Sequence, residues 1–207
     1  MAVYLGNKKV SIKSAVPGAS AGFTFKDFFE HGGKMKNTAY VNLSMLQYSD
    51  TENVTDFIEM FSGCPNLTTG TLIDTSKVTT MYRMFRNCPN LTTISAFDTS
   101  KVTQMGEMFF GCTNLKVIPA FDTSKVKWMG DMFSGCTNLT AIHMTGMAAD
   151  LDISASTQFT REALVEILNN LATLTNTRHT LTMGSTNLAK LTEEDKLIAT
   201  NKGWTVN

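Results

Sequence analysis

A chain of 207 residues is long enough to bury a core of its own. Its 18 basic side chains balance its 18 acidic ones, which removes the attraction that a nucleic acid or an anionic membrane would need. Charged residues make up only 17%, so Thr, Ser and Asn must supply much of the surface, and no apolar run approaches the roughly 20 residues of a membrane helix.

In chain order, Val3 to Lys13 reads as a small hairpin with Gly6-Asn7 at its middle. Met1 to Val10 lack the apolar stretch of a signal peptide, so no export signal is expected there. Thr24 to Gly33 reads as a small helix: Thr24 and Asp27 resemble a capping box, Phe25, Phe28 and Phe29 share a face, and Gly32 ends it. Asn42-Leu43 stands 24 residues before Asn66-Leu67 and reads as a degenerate half-turn of a downstream repeat. Residues 1–49 are thus expected to form an N-terminal cap.

Residues 50–145 repeat with a period of 24. The cysteines are Cys64, Cys88, Cys112 and Cys136. Val54, Val78, Val102 and Val126 keep the same register. So do Met60-Phe61, Met84-Phe85, Met108-Phe109 and Met132-Phe133, and the Asn-Leu pairs beginning at Asn66, Asn90, Asn114 and Asn138. Asp50, Asp74, Asp98 and Asp122 open the four turns. A fixed period between 20 and 50 residues marks a stacked repeat.

Within one turn, Val102, Met105, Met108, Phe109 and Cys112 are spaced 3, 3, 1 and 3, the spacing of one helix face. Gly63, Asn87, Gly111 and Gly135 precede the four cysteines and are the residue types that tolerate a left-handed helix end. Ile94 and Ala96, like Ile118 and Ala120, alternate as in a short strand. The Asp-Thr-Ser after each strand is turn chemistry, with Thr79 and Thr103 placed as helix N-caps. Each turn therefore reads as strand, bend and short helix. Stacking brings strands to about 4.8 Å spacing and lines the inside with Met and Phe ladders. Gly70 interrupts the Ile register, so the first turn is expected to be irregular.

The unit from Phe97 to Leu115, repeated from Phe121 to Leu139, resembles the BspA-like branch of leucine-rich repeat proteins; the match covers Asp50 to Thr145. The common consensus puts Asn or Cys shortly after the strand, whereas Thr75, Thr99 and Thr123 stand there and the Cys falls at the helix end. The resemblance implies a right-handed α/β solenoid, a leucine-rich-repeat-like stack of strand–short helix turns with a parallel sheet and helical caps. It also implies adhesion or partner recognition, on bacterial surfaces or in phage and prophage structural proteins.

Residues 146–207 read as a C-terminal cap continuous with the stack. Leu151 to Ile153 is a strand, Thr160 to Leu171 a helix with Leu164, Ile167, Leu168 and Leu171 on one face, and Leu181 to Met183 a strand. A second helix starts at Thr192 and ends near Gly203, and Trp204 to Val206 adds a last strand.

No chemistry converges in the sequence. The cysteine spacing does not fit zinc, whose ligands pair two to four residues apart. An inward ladder of free thiols is the plain reading; stacked turns also bring neighbouring Cys within disulfide reach. His31, His143 and His179 belong to different elements. The Asp register favours turn capping over calcium, since Lys77, Lys101 and Lys125 accompany it. No catalytic residue, metal site or cofactor is therefore expected, and the chain reads as a non-enzymatic recognition module for a protein or surface glycan, or else as a structural spacer. Partner-binding candidates are positions that vary between turns: Thr69, Thr93, Val117 and Ala141, then Thr71, Ser95, Pro119 and His143, on the sheet. On the helix side they are Tyr82, Arg83, Arg86, Phe110 and Trp128, the last two being large aromatics at registers that are polar elsewhere.

Overall fold

The computed structural model describes residues 2–5, 8–11, 51–70 and 73–207. The helix expected at Thr24–Gly33, the half-turn at Asn42-Leu43, Asp50 and the candidate Thr71 lie outside the described residues. β1 (Ala2–Leu5) and β2 (Lys8–Ser11) pair antiparallel, Val3 opposite Val10.

Each coil begins at an Asp-led bend. Asp74, Asp98 and Asp122 accept at Oδ1 from the amide of the Ser two residues on, at 2.9, 3.0 and 2.9 Å. The Ser100 hydroxyl and then its amide hold the Asp98 carboxyl below the usual range, and Ser124 does the same for Asp122. These carboxylates close turns, as their register anticipates. The chain then advances in three-residue steps. The amide of Val102 donates to the Thr99 carbonyl at 2.9 Å, Met108 to Met105 at 3.2 Å, Cys112 to Phe109 at 3.0 Å and Leu115 to Cys112 at 3.1 Å.

The segment read as a short helix is a run of β-turns, and no described residue between 51 and 145 is helical. Two left-handed residues per coil break the helix. One is Gly63, Asn87, Gly111 or Gly135, as anticipated; the other is Glu59, Arg83, Glu107 or Asp131, with φ between 51° and 57°. For a side chain with a Cβ this conformation costs about 1–2 kcal/mol. It turns every second amide toward the next coil, where a bond offsets the cost. Met105, Glu107, Phe109 and Gly111 donate to the carbonyls of Trp128, Gly130, Met132 and Ser134 at 2.8–3.1 Å. A helix would have spent those amides internally. Thr79 and Thr103 are correspondingly not N-caps: their amides and hydroxyls donate back to Thr55 and Thr79.

β3 (Thr69–Gly70) pairs in parallel with β4 (Thr93–Ile94), and β5 (Val117–Ile118) with β6 (Ala141–Ile142), each offset by 24 residues. Gly70 keeps this register opposite Ile94, whose Cγ2 would stand 2.9 Å from a Cβ built on it. A second parallel column runs Asp56, Thr80, Gln104, Trp128. Between these ladders the core is columnar. The Val54, Met60, Phe61, Cys64 and Leu67 registers are buried in all four coils. Phe61, Phe85, Phe109 and Phe133 stack at 5.5–6.1 Å, and Phe97 on Phe121 at 5.7 Å.

The C-terminal segment contributes β7 (Leu151–Asp152), α1 (Arg161–Asn170), β8 (Thr180–Thr182), α2 (Ser185–Leu188), α3 (Glu193–Thr200) and β9 (Thr205–Val206). The strands form a parallel sheet in the order β7-β8-β9. Thr160 caps α1 by accepting from the Ala163 amide, and Thr192 with Asp195 forms the capping box of α3. Arg161 then holds Asp195 through two bonds of 2.8 and 2.7 Å. Lys202 reaches the end of α1, donating to the carbonyls of Leu168 and Leu171. Met147 bridges in parallel to Leu171 within this segment, and the Ser156 hydroxyl, donating to the Leu139 carbonyl at 2.7 Å, joins it to the coils. Among the described residues no helix is long and apolar enough to cross a membrane.

Candidate functional site

Of the strand-side candidates, Thr69, Thr93 and Val117 are exposed and Ala141 is half-buried. Thr69 faces Thr93 and Val117 faces Ala141 across paired strands, with Val117 39% exposed. The next row is committed to internal bonds. The Ser95 hydroxyl donates to the Gly70 carbonyl at 3.0 Å, and the His143 imidazole shares a 2.7 Å hydrogen bond with Glu166 of α1. Pro119 is half-buried.

The turn-side candidates converge instead. Their organiser is Glu107, which no pattern of apolar residues singles out. Its Oε1 accepts from Arg83 Nη2 at 2.8 Å and from the Tyr82 hydroxyl at 3.0 Å, while Oε2 accepts from Arg86 Nε at 2.9 Å. Arg83 also approaches Glu59 at 3.9 Å. The left-handed register thus carries Glu59, Arg83, Glu107 and Asp131, and the charges alternate where Glu59, Arg83 and Glu107 meet across neighbouring coils. That alternation is the sequence signal that would have found Glu107.

The guanidiniums are also packed on rings. Arg83 lies 4.5 Å from the Tyr82 centroid and Arg86 4.8 Å from that of Phe110. Trp128 meets Tyr82 at 5.5 Å with the ring planes tilted by 45°. Its indole rests on two glycines. A Cβ on Gly106 would stand 2.1 Å from Cζ3, and one on Gly130 2.7 Å from Nε1. Trp128 remains 44% exposed. The result is an aromatic shelf seated on Gly106 and Gly130, walled by Tyr82 and bordered by a neutralised Arg–Glu network.

The Arg83 hydrogen bond, with those of Arg86 and Tyr82, holds the Glu107 carboxyl below the usual range, although partial burial opposes it. Burial first, then Glu107, raises the Tyr82 phenol, which stays a donor. Because the folded carboxyl of Glu107 is depressed, its stabilisation is present above the unfolded value of about 4.3 and is lost as pH falls through the lower folded value. Glu107→Gln should therefore be less stable than wild type at pH 7, with the gap closing below pH about 4. Urea midpoints against pH measure this, and a gap constant down to pH about 3 would contradict it.

The four cysteines are reduced thiols inside the core, none of them in a disulfide. Cys88, Cys112 and Cys136 donate to the carbonyls of Phe61, Phe85 and Phe109 at 3.0–3.1 Å. Burial pushes the Cys136 thiol up to about 12. Among the described residues no three His, Cys, Asp or Glu side chains gather as metal ligands. An open cleft of about 500 Å³ is lined by Thr103, Ser124, Lys125, Lys127 and His179.

Residues 33–141 match the model of a family described as Mycoplasma protein of unknown function, DUF285. No curated protein and no solved structure matches the chain.

Proposed function

The chain belongs to the DUF285 family, and we propose that it is a non-enzymatic recognition module that holds a protein or glycan partner on its Trp128–Tyr82–Phe110 surface. The stack is read as a leucine-rich-repeat-like solenoid of the BspA-like branch, with β-turns in place of short helices and a host-contact or surface-adhesion role. One observation carries this reading. A repeat strict enough to keep its core registers in all four coils departs from itself outside the core, where Trp128 takes the place of Thr80 and Gln104. Large aromatics fixed in place on an exposed face are contact anchors, since they need little further ordering on binding.

The test is binding of the whole chain to a panel of surface proteins and glycans, with Trp128→Ala alongside. The variant should lose roughly tenfold or more in affinity while still unfolding cooperatively. If no member of the panel binds, or the variant binds as wild type does, recognition through this surface is wrong. Self-association without any ligand would instead favour the structural spacer.

A further inference from the structure

We propose that the ligand of this surface is a neutral saccharide, one hexopyranose ring lying flat on the Trp128 indole with its hydroxyl rim toward Tyr82 and Gln104; this rests on the recognition reading above. Three observations select it.

The first is the shape of the shelf. The indole is held down by Gly106 and Gly130 and walled by Tyr82. One planar apolar face is therefore presented without a pocket around it. A pyranose offers the matching surface: a face of C–H groups bordered by hydroxyls.

The second is charge. Arg83 and Arg86 are matched by Glu107 and Glu59, and Asp131 continues the same column. The two guanidiniums packed beside Tyr82 and Phe110 are already paired, so neither offers a free cation to a sulfated, sialylated or phosphorylated ligand. In the two preceding coils the indole's own column carries uncharged donors and acceptors. Gln104 and Thr80 precede Trp128 in its bridge column. Gln104 is exposed, and its side-chain carboxamide makes no hydrogen bond among the described residues. Coils spaced about 4.8 Å apart place one such side chain per sugar ring.

The third is extent. A stable protein interface buries about 800 Å² per partner around an apolar centre. Among the described residues the large exposed hydrophobics are Val117, Trp128 and Leu197, which belong to separate elements. Trp128, with the Tyr82 ring beside it and the paired Arg83–Glu107–Arg86 network next to that, is a small aromatic patch, the right size for a sugar and smaller than a stable protein interface needs.

Tryptophan fluorescence provides the test, because Trp204 is 3% exposed and any ligand-induced change reports on Trp128. Cellotetraose, maltotetraose and chitotetraose are titrated into the full chain, with sialyllactose beside them. At least one neutral tetrasaccharide should give a saturable change with a Kd in the millimolar range or tighter. Gly106→Ala is the decisive variant. Gly106 does not adopt a left-handed conformation, so alanine suits the backbone, but its Cβ must displace the indole. It should shift the resting emission, weaken the saccharide roughly tenfold or more and leave cooperative unfolding intact. Trp128→Phe should recover binding that Trp128→Ala loses. The saccharide proposal falls if no neutral tetrasaccharide perturbs the emission, if sialyllactose alone does, or if Gly106→Ala binds as wild type does. Trp128-dependent binding of a surface protein with no saccharide response would leave recognition standing and remove only the sugar.

Discussion

Phe109→Ala should destabilise the protein by about 3–5 kcal/mol, a fall in Tm of roughly 10 °C for a chain of this size. Phe109 is fully buried, its ring between Phe85 at 5.8 Å and Phe133 at 6.1 Å with planes tilted by only 4° and 2°. Truncation removes both stacking contacts at once and opens a cavity in the middle of a column. The coils above and below are held in register by backbone bonds, so they cannot collapse into it. The adjacent residue provides the control. Phe110 is half-buried and packs under Arg86 at the surface, so Phe110→Ala should cost about 1 kcal/mol or less. Equal losses for the two variants, in urea or thermal unfolding, would contradict the columnar core.

The burial of that core was legible because each register is stated four times. Val102, Met105, Met108, Phe109 and Cys112 read as one buried face, and all five are inside. Their secondary structure was not legible, because a step of three suits chained β-turns as well as a helix. The outcome is decided by backbone amides that bond to the next coil, and side-chain spacing does not record where an amide points. The left-handed residue before Cys112 was readable, being a glycine. The one at Glu107 was not, because nothing about a glutamate advertises a positive φ.

At the candidate site, Phe110 and Trp128 stood out as aromatics at polar registers. What seats Trp128 was present in the sequence but in a neighbouring register. Tyr82 gives way to Gly106 and Gly130 where Trp128 replaces Gln104, so a bulky side chain appears beside the column that has just lost one. His143 looked equally available, yet its partner Glu166 comes from a helix whose docking no local pattern could indicate. The first C-terminal helix was legible through its apolar face at Leu164, Ile167 and Leu168, and the second from its start at Thr192, whereas α2 was not anticipated: at four residues, Ser185–Leu188 carries no apolar periodicity.

Equivalent side chains lie one above another only because consecutive coils have equal length. Deleting residues 99–122 removes one 24-residue coil and joins Asp98 directly to Thr123, restoring Asp-Thr-Ser-Lys-Val and every ladder across the junction. Deleting 99–120 removes 22 residues and leaves all later registers displaced by two, with buried and exposed positions exchanging places along the turns. The first chain should lose about one coil's share of stability and still unfold in a single transition. The second should lose several kcal/mol more, since no relative placement of its halves satisfies both the core and the inter-coil bonds.

Urea unfolding of this pair is the most direct measurement of the stacking itself. A cooperative transition for the 24-residue deletion and none, or one at far lower urea, for the 22-residue deletion is the expected result. Matching transitions for the two would show that the 24-residue register does not hold the protein together.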